Sequence, residues 1–159
     1  MDIPWKRVRR WECLECGKCC KAFLVPVRIY ERPVLERRRP GSVTIAISRE
    51  GRRGLYLSKK ESGECIFLVK VFGRYLCSIQ DIKPVACRLY PFRVKKYGNE
   101  EAYLRVDEED VYVYLDSRCP GVKEGKADLN MYNMAVEAAR LKINSDRLLE
   151  RLRVSQFPH

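Results

Sequence analysis

The sequence predicts one small α+β domain with a mostly antiparallel sheet, short helices near a cysteine cluster and a C-terminal helix. Three observations carry this reading. The chain has 159 residues, 46% of them hydrophobic, the length of one ordinary domain with enough apolar material for a core. Between residues 23 and 115, short β-branched and aromatic runs alternate with Gly and Pro turns, as strands joined by tight connections do. From Asp128 the apolar residues fall at steps of three and four instead, the period of a helix face. No repeat or low-complexity linker interrupts residues 1–159, which read as a single domain with its motif region at 13–121 and a helical segment at 128–154.

Taken in order, Phe23-Leu24-Val25-Pro26-Val27 predicts a short strand whose proline favours an edge. Pro33 suits the first turn of a helix from Val34 to Arg38 that stops before Pro40-Gly41. Ser42 to Ser48 is β-branched and predicts a strand, with a turn at Gly51-Arg52-Arg53-Gly54 and Leu55-Tyr56-Leu57 beyond it. Cys65 to Val71 and Arg74 to Ile79 predict a hairpin turning at Phe72-Gly73. Asp81 to Pro84 predicts a helix start, capped by Asp81 and ended by Pro91. Strands follow at Phe92 to Tyr97, Ala102 to Val106 and Val111 to Leu115, the first two joined by a Gly98-Asn99 turn. Asp128 is the expected N-cap of the last helix, whose stripe is Leu129, Tyr132, Val136, Ala139 and Ile143; Asn144-Ser145-Asp146 offers a second cap before a frayed tail at Phe157-Pro158-His159.

Charge is unevenly spread. The net charge is +11, and residues 1 to 60 hold 16 Lys/Arg against 6 Asp/Glu, so almost all of the excess lies in the first part of the chain. Twenty Arg beside one Thr, two Gln and four Asn is a composition that suits a thermophile. No apolar run is long enough to span a bilayer, and the start Met1-Asp2-Ile3-Pro4-Trp5-Lys6-Arg7 lacks a signal-peptide core. A cytoplasmic protein is the expectation, and a reducing compartment turns eight cysteines towards metal ligation or catalysis rather than disulfides.

Those cysteines are Cys13, Cys16, Cys19 and Cys20 in one run, then Cys65, Cys77, Cys87 and Cys119. Two residues between cysteines let a tight turn aim both sulfurs at one point, and Gly17 relieves the crowding of that turn. Structural zinc more often takes two ligands from each of two separated knuckles; an overlapping C-x-x-C-x-x-C with one remote cysteine is a spacing of cubane iron-sulfur clusters. The remote thiol could be Cys119, which precedes Pro120. The ligand set must be all sulfur because the one histidine is His159, and thiolates favour zinc or iron-sulfur over calcium or magnesium. The competing reading is disulfides or buried free cysteines acting as small hydrophobes, against which four cysteines in eight residues pack poorly. Sequence order does not partition the eight between sites.

The same residues resemble a family. Cys13-x-x-Cys16-x-x-Cys19-Cys20, Gly63-x-Cys65, Tyr75-x-Cys77, Lys83-Pro84-x-x-Cys87-Arg88-x-Tyr90-Pro91-Phe92 and Cys119-Pro120-Gly121 are similar to the YkgJ-type cysteine-cluster family of zinc- or iron-chelating domains. The resemblance spans roughly Cys13 to Gly121 and includes all eight cysteines. It implies an intracellular zinc- or iron-chelating domain, beside which the spacing makes a four-iron, four-sulfur cluster or zinc the expected cofactor; Lys83 stands where the family usually has Arg, which keeps the charge and gives up the bidentate fork. Longer relatives include flagellin lysine-N-methylases, which makes a methylase-like enzyme one alternative.

Around Cys87, two prolines form a rigid turn that delivers the thiol, while Lys83 or Arg88 offsets thiolate charge; the competing reading puts Arg88 in an ordinary surface pair. At the N-terminus, Trp5-Lys6-Arg7-Val8-Arg9-Arg10-Trp11 interleaves indoles with cations, a pattern that could meet nucleic acid or an acidic protein. The plainer reading is a solvated basic face with tryptophans covering the cluster. An enzyme lacks support in the motifs: there is no glycine-rich cofactor loop, internal histidine base or nucleophile signature.

Overall fold

The computed structural model describes residues 1–156, with side chains through Arg153; the tail Phe157-Pro158-His159 lies outside the described residues. In chain order, β1 (Asp2–Pro4) and β2 (Val8–Trp11) are followed by α1 (Lys18–Ala22) and α2 (Arg32–Arg38). The ribbon β3 (Val43–Ile47) and β4 (Arg53–Leu57), the hairpin β5 (Leu68–Val71) and β6 (Arg74–Cys77), and α3 (Val85–Leu89) come next. Strands β7 (Phe92–Lys95), β8 (Tyr103–Val106), β9 (Glu109–Asp116) and β10 (Val122–Glu124) lead to α4 (Leu129–Gln156). Every strand pairing is antiparallel, so the class is α+β, but the strands form one four-stranded sheet and three two-stranded ones rather than a single sheet. Among the described residues no helix is long and apolar enough to cross a membrane.

The chain divides into two compact units: Met1–Leu14 with Leu89–His159, and Glu15–Arg88. The first is built on β9, which pairs with β1, β7 and β8. Its alternation puts Val111, Val113 and Leu115 on the buried face, where they meet Phe92, Leu104, Val106 and a stripe of α4 formed by Met131, Ala135, Ala139 and Ile143. Of the expected stripe Ala139 and Ile143 are buried, whereas Leu129 and Tyr132 are exposed. Strands at period two and a helix at period 3.6 thus supply one shared core. β2 pairs with β10, and the two tryptophans belong to this core: Trp5 is buried with its Nε1 donating to the Tyr103 carbonyl at 3.3 Å, and Trp11 meets the Phe92 ring edge-on. Trp5 is part of unit 1's own core and Trp11, half-buried, packs against it.

The second unit has a smaller core of Val27, Leu35, Val43, Leu57, Cys65, Phe67, Leu68 and Ile79. Its strands come only as the two ribbons β3–β4 and β5–β6. The β5–β6 hairpin turns at Phe72 and Gly73 as expected, both at positive φ, which matches the right-handed strand twist.

Several expectations need correction. Phe23 to Val27 is not a strand; it lies along the free edge of β4 through Val27 N–H to the Leu55 carbonyl and Leu57 N–H to the Val25 carbonyl. β7 and β8 are joined through Gly98-Asn99 as expected, but β7 stops at Lys95, β8 starts at Tyr103, and each pairs with β9. Asp128 does cap α4, accepting from the Met131 N–H at 2.9 Å, but Asn144-Ser145-Asp146 does not interrupt it. With no Gly or Pro in that stretch the helix continues, and Asp146 instead pairs with Lys142 one turn back. Nor does Asp81 cap α3. It forms a two-oxygen pair with Arg38 at 3.3 and 2.7 Å, while the Val85 N–H at the start of α3 is met by the Glu31 carboxylate at 2.7 Å.

Candidate metal centre

Within Glu15–Arg88 four cysteines from four segments reach one core: Cys65 is buried in it, and Cys20 on α1, Cys77 on β6 and Cys87 on α3 pack against it. Cys19 lies beside Cys20 on α1 and hydrogen-bonds it through the side chains. The backbone ties the two segments directly, since Cys65 N–H donates to the Cys20 carbonyl at 2.8 Å. All eight cysteines are free thiols.

The electrostatics describe a crowded set. The Cys19 thiol is lowered to about 6, chiefly by the hydrogen bond from Cys20, helped by the Cys20 N–H and the Lys83 charge and opposed by burial. Cys20 is pushed up by that same hydrogen bond, by burial, and by Cys19, Cys65 and Cys87. Burial is the first cause holding Cys87 up, to about 12, with Cys65, Cys77 and Cys19 adding to it and Lys83 opposing it. Burial also raises Cys65, against backbone N–H donation from Phe67 and Leu68. These shifts mean that each of the five thiols lies within electrostatic reach of others in the set. Lys83 reaches Cys19 and Cys87 and Lys59 reaches Cys65, whereas Arg88 is exposed and its N–H closes a turn onto the Pro84 carbonyl.

The turn that presents the array is built as the sequence predicts. Gly17 adopts φ +72°, and a Cβ there would lie 2.8 Å from the Tyr75 ring, so a side chain is excluded by backbone and by packing. Tyr75 holds the array from the other side: its N–H donates to the Glu15 carbonyl at 3.2 Å, and Lys21 on α1 lies over its ring at 3.7 Å. The sequence carries no signal for this clamp, because Tyr75 and Lys21 are 54 residues apart; the hairpin pattern places Tyr75 on a strand without showing what its ring meets. Cys16 belongs to this turn, and its charge is felt by Lys21.

Cys13 and Cys119 lie in the other unit, at one end of the β2–β10 ribbon. Trp11 pairs with Val122, and the Glu12 N–H donates to the Gly121 carbonyl at 3.3 Å, which places the two short cysteine segments beside each other. Gly121 passes so close to the Glu12 carbonyl that a Cβ would collide with it. Asp116, unpredicted, sets this turn: it is fully buried, accepts from the Arg118 N–H and guanidinium and from Arg93, and its carbonyl receives the Cys119 N–H. Arg118 holds the Asp116 carboxyl well below the usual carboxylate range, by hydrogen bonding first and charge second, against burial.

Among the described residues no three Cys, His, Asp or Glu side chains close on a point that could hold a metal ion. Donor chemistry is nevertheless specific: a set made of thiols alone is that of a soft-metal chelator. Residues 12–120 match the CxxCxxCC family, described as a "putative zinc- or iron-chelating domain", and the chain belongs to that family. It is a metal-binding domain of the zinc- or iron-chelating class. No curated protein and no solved structure matches the chain.

Proposed function

We propose that the thiols hold an iron-sulfur cluster in preference to zinc, with Cys20, Cys65, Cys77 and Cys87 as the central donors and Cys19 and Cys16 beside them. The observation that carries this reading is the gathering of four thiols from four separate segments onto one small apolar core. Buried together, such thiols resist ionising: burial and the neighbouring thiols outweigh the charge of Lys83 at Cys87 and of Lys59 at Cys65; a bound metal supplies further positive charge and converts them to thiolates. Cys13 and Cys119, on neighbouring segments of the other unit, are proposed as thiol ligands within that unit. Iron-sulfur is preferred on the overlapping C-x-x-C-x-x-C spacing of the N-terminal array, of which Cys16 and Cys19 lie beside the central donors in unit 2. A cluster supplies one-electron transfer, and zinc supplies a structural clamp.

The residues then have separable duties. The Gly17 turn and the Tyr75–Lys21 clamp position the array, Lys83 lowers the cost of ionising Cys19 and Cys87, and the N–H groups of Phe67 and Leu68 stabilise the Cys65 thiolate. Because no three thiols meet at a point as they stand, binding includes rotation of cysteine side chains. Purification without oxygen followed by iron, sulfide and zinc analysis tests the reading. Equimolar iron and sulfide with broad visible absorption is the expected result; zinc without sulfide overturns the preference for a cluster, and absence of both metals overturns the site.

The basic charge suits an anionic partner of either kind. An acidic protein is preferred because Trp5 is buried in the unit 1 core and Trp11 packs against it, which weakens the base-stacking half of the nucleic-acid reading.

A further inference from the structure

The ribbon β3–β4 has one edge in use and one free. On β4, Leu55 and Leu57 bond outward to Val27 and Val25. On β3, the flanking bonds Ser48 N–H to Arg52 carbonyl and Ser58 N–H to Ser42 carbonyl fix which residues face the partner strand. Counting inward from these in steps of two, Thr44 and Ala46 bond to β4, so the N–H and C=O of Val43, Ile45 and Ile47 point away from it. The Glu36 carboxylate takes the Val43 N–H at 2.9 Å. Ile45 and Ile47 have no strand beside them among the described residues.

Their side chains are uncovered too. Val43 and Leu57 open the apolar face of the ribbon and are buried, but the face runs on past the core to Ile45, 57% exposed, and Ile47, 69% exposed. Ser42 to Ser48 contains no charge and no proline. Proteins ordinarily blunt a free edge with lysine, proline or a bulge; this one carries β-branched residues and is protected only at its ends, by Arg39-Pro40-Gly41 and Arg49. Beside Ile47, the tip of the ribbon exposes Arg49, Arg52 and Arg53 around the single carboxylate of Glu50, which lies within electrostatic reach of Arg52 and Arg49, so the tip stays basic.

We propose that the free edge of β3 receives an extended acidic segment of a partner protein, which adds as a third strand to the β3–β4 ribbon. Outward N–H and C=O groups supply main-chain pairing, Ile45 and Ile47 supply an apolar stripe for every second partner residue, and the tip arginines select carboxylates. Charge argues against a second copy as the occupant. Residues 15–88 hold 16 Lys/Arg against 7 Asp/Glu, a net of +9, so edge-to-edge pairing of two such units brings like charges together.

The test uses the metal-loaded full chain and a fluorescein-labelled peptide, Glu-Val-Asp-Val-Glu-Val-Asp, followed by anisotropy. Ile47→Pro removes one outward donor without touching a bond to β4, and Ile47→Ser removes the side chain alone. The expected result is binding that weakens as salt rises and is about tenfold weaker in either variant, with circular dichroism and metal content unchanged. A version of the peptide with alternate amides methylated should not bind. Absence of binding, or equal binding by wild type and both variants, overturns the proposal. So does a wild-type dimer, seen by light scattering, that either substitution makes monomeric and the peptide does not disperse, since a second copy then covers the edge.

Discussion

The two units solve the problem of stability in different ways. Among the described residues, unit 1 buries fourteen apolar residues in a core closed by a four-stranded sheet and a 28-residue helix, whereas unit 2 buries eight and has only two-stranded ribbons. Their charge differs as sharply: unit 1 holds 16 Lys/Arg against 14 Asp/Glu, a net of +2, while unit 2 carries +9. Two-stranded ribbons are marginal by themselves, and a core this small is usually supplemented by a staple. In unit 2 the thiols occupy the place of that staple. On the proposed binding the excess positive charge has a use there as well, since thiolates on a metal would be anionic and part of the +9 would become counter-charge.

This contrast can be broken by substitution, and the largest effect is expected at the thiols. Serine at Cys20, Cys65, Cys77 or Cys87 should each remove most of the bound metal and unfold unit 2, as loss of a ligand does in small metal-dependent domains. Trp5→Ala, in the core of unit 1, should keep the metal; metal analysis of the five variants would separate these outcomes. Next in size is Leu115→Ala, which empties a fully buried position on β9 and should cost about 3 kcal/mol in denaturant unfolding of unit 1, again with metal retained. Equal loss of metal in Leu115→Ala and Cys65→Ser would show that the units are not separable.

Smaller changes sharpen the account inside unit 2. Gly17→Ala puts a Cβ into the left-handed region and against Tyr75, a strain of about 2 kcal/mol that should appear as faster release of metal to a chelator. Lys83→Gln removes the one cation felt by both Cys19 and Cys87 and should weaken metal retention about tenfold. Arg88→Gln, at an exposed position, should change it little. Competition with a chromogenic chelator would rank the three, and an Arg88 effect larger than that of Lys83 would reverse the assignment.

Much of this was legible in the sequence because it is local. The Phe72-Gly73 turn, the Pro33 helix start, the Asp128 cap and the Gly17 turn each rest on a preference of one or two residues. The cysteine pattern also carried the family. What was missed depends on distant partners. Glu31 rather than Asp81 meets α3 because the fold brings a carboxylate from 54 residues away, and Asp81 is taken by Arg38. The N-terminal tryptophans suited a surface as well as a core by composition, and only the pairing of β1 with β9 and of β2 with β10 draws that segment into the unit 1 core.

The central claim is that metal bound by thiols stabilises unit 2 while unit 1 stands on its own core. Hydrogen exchange with residue-level resolution, before and after chelation of the metal under reducing conditions, tests it most directly. The account predicts that amides in α1, β5, β6 and α3 lose protection on chelation while those of β7, β9 and α4 keep it. Unchanged protection throughout, or equal loss in both units, would contradict it.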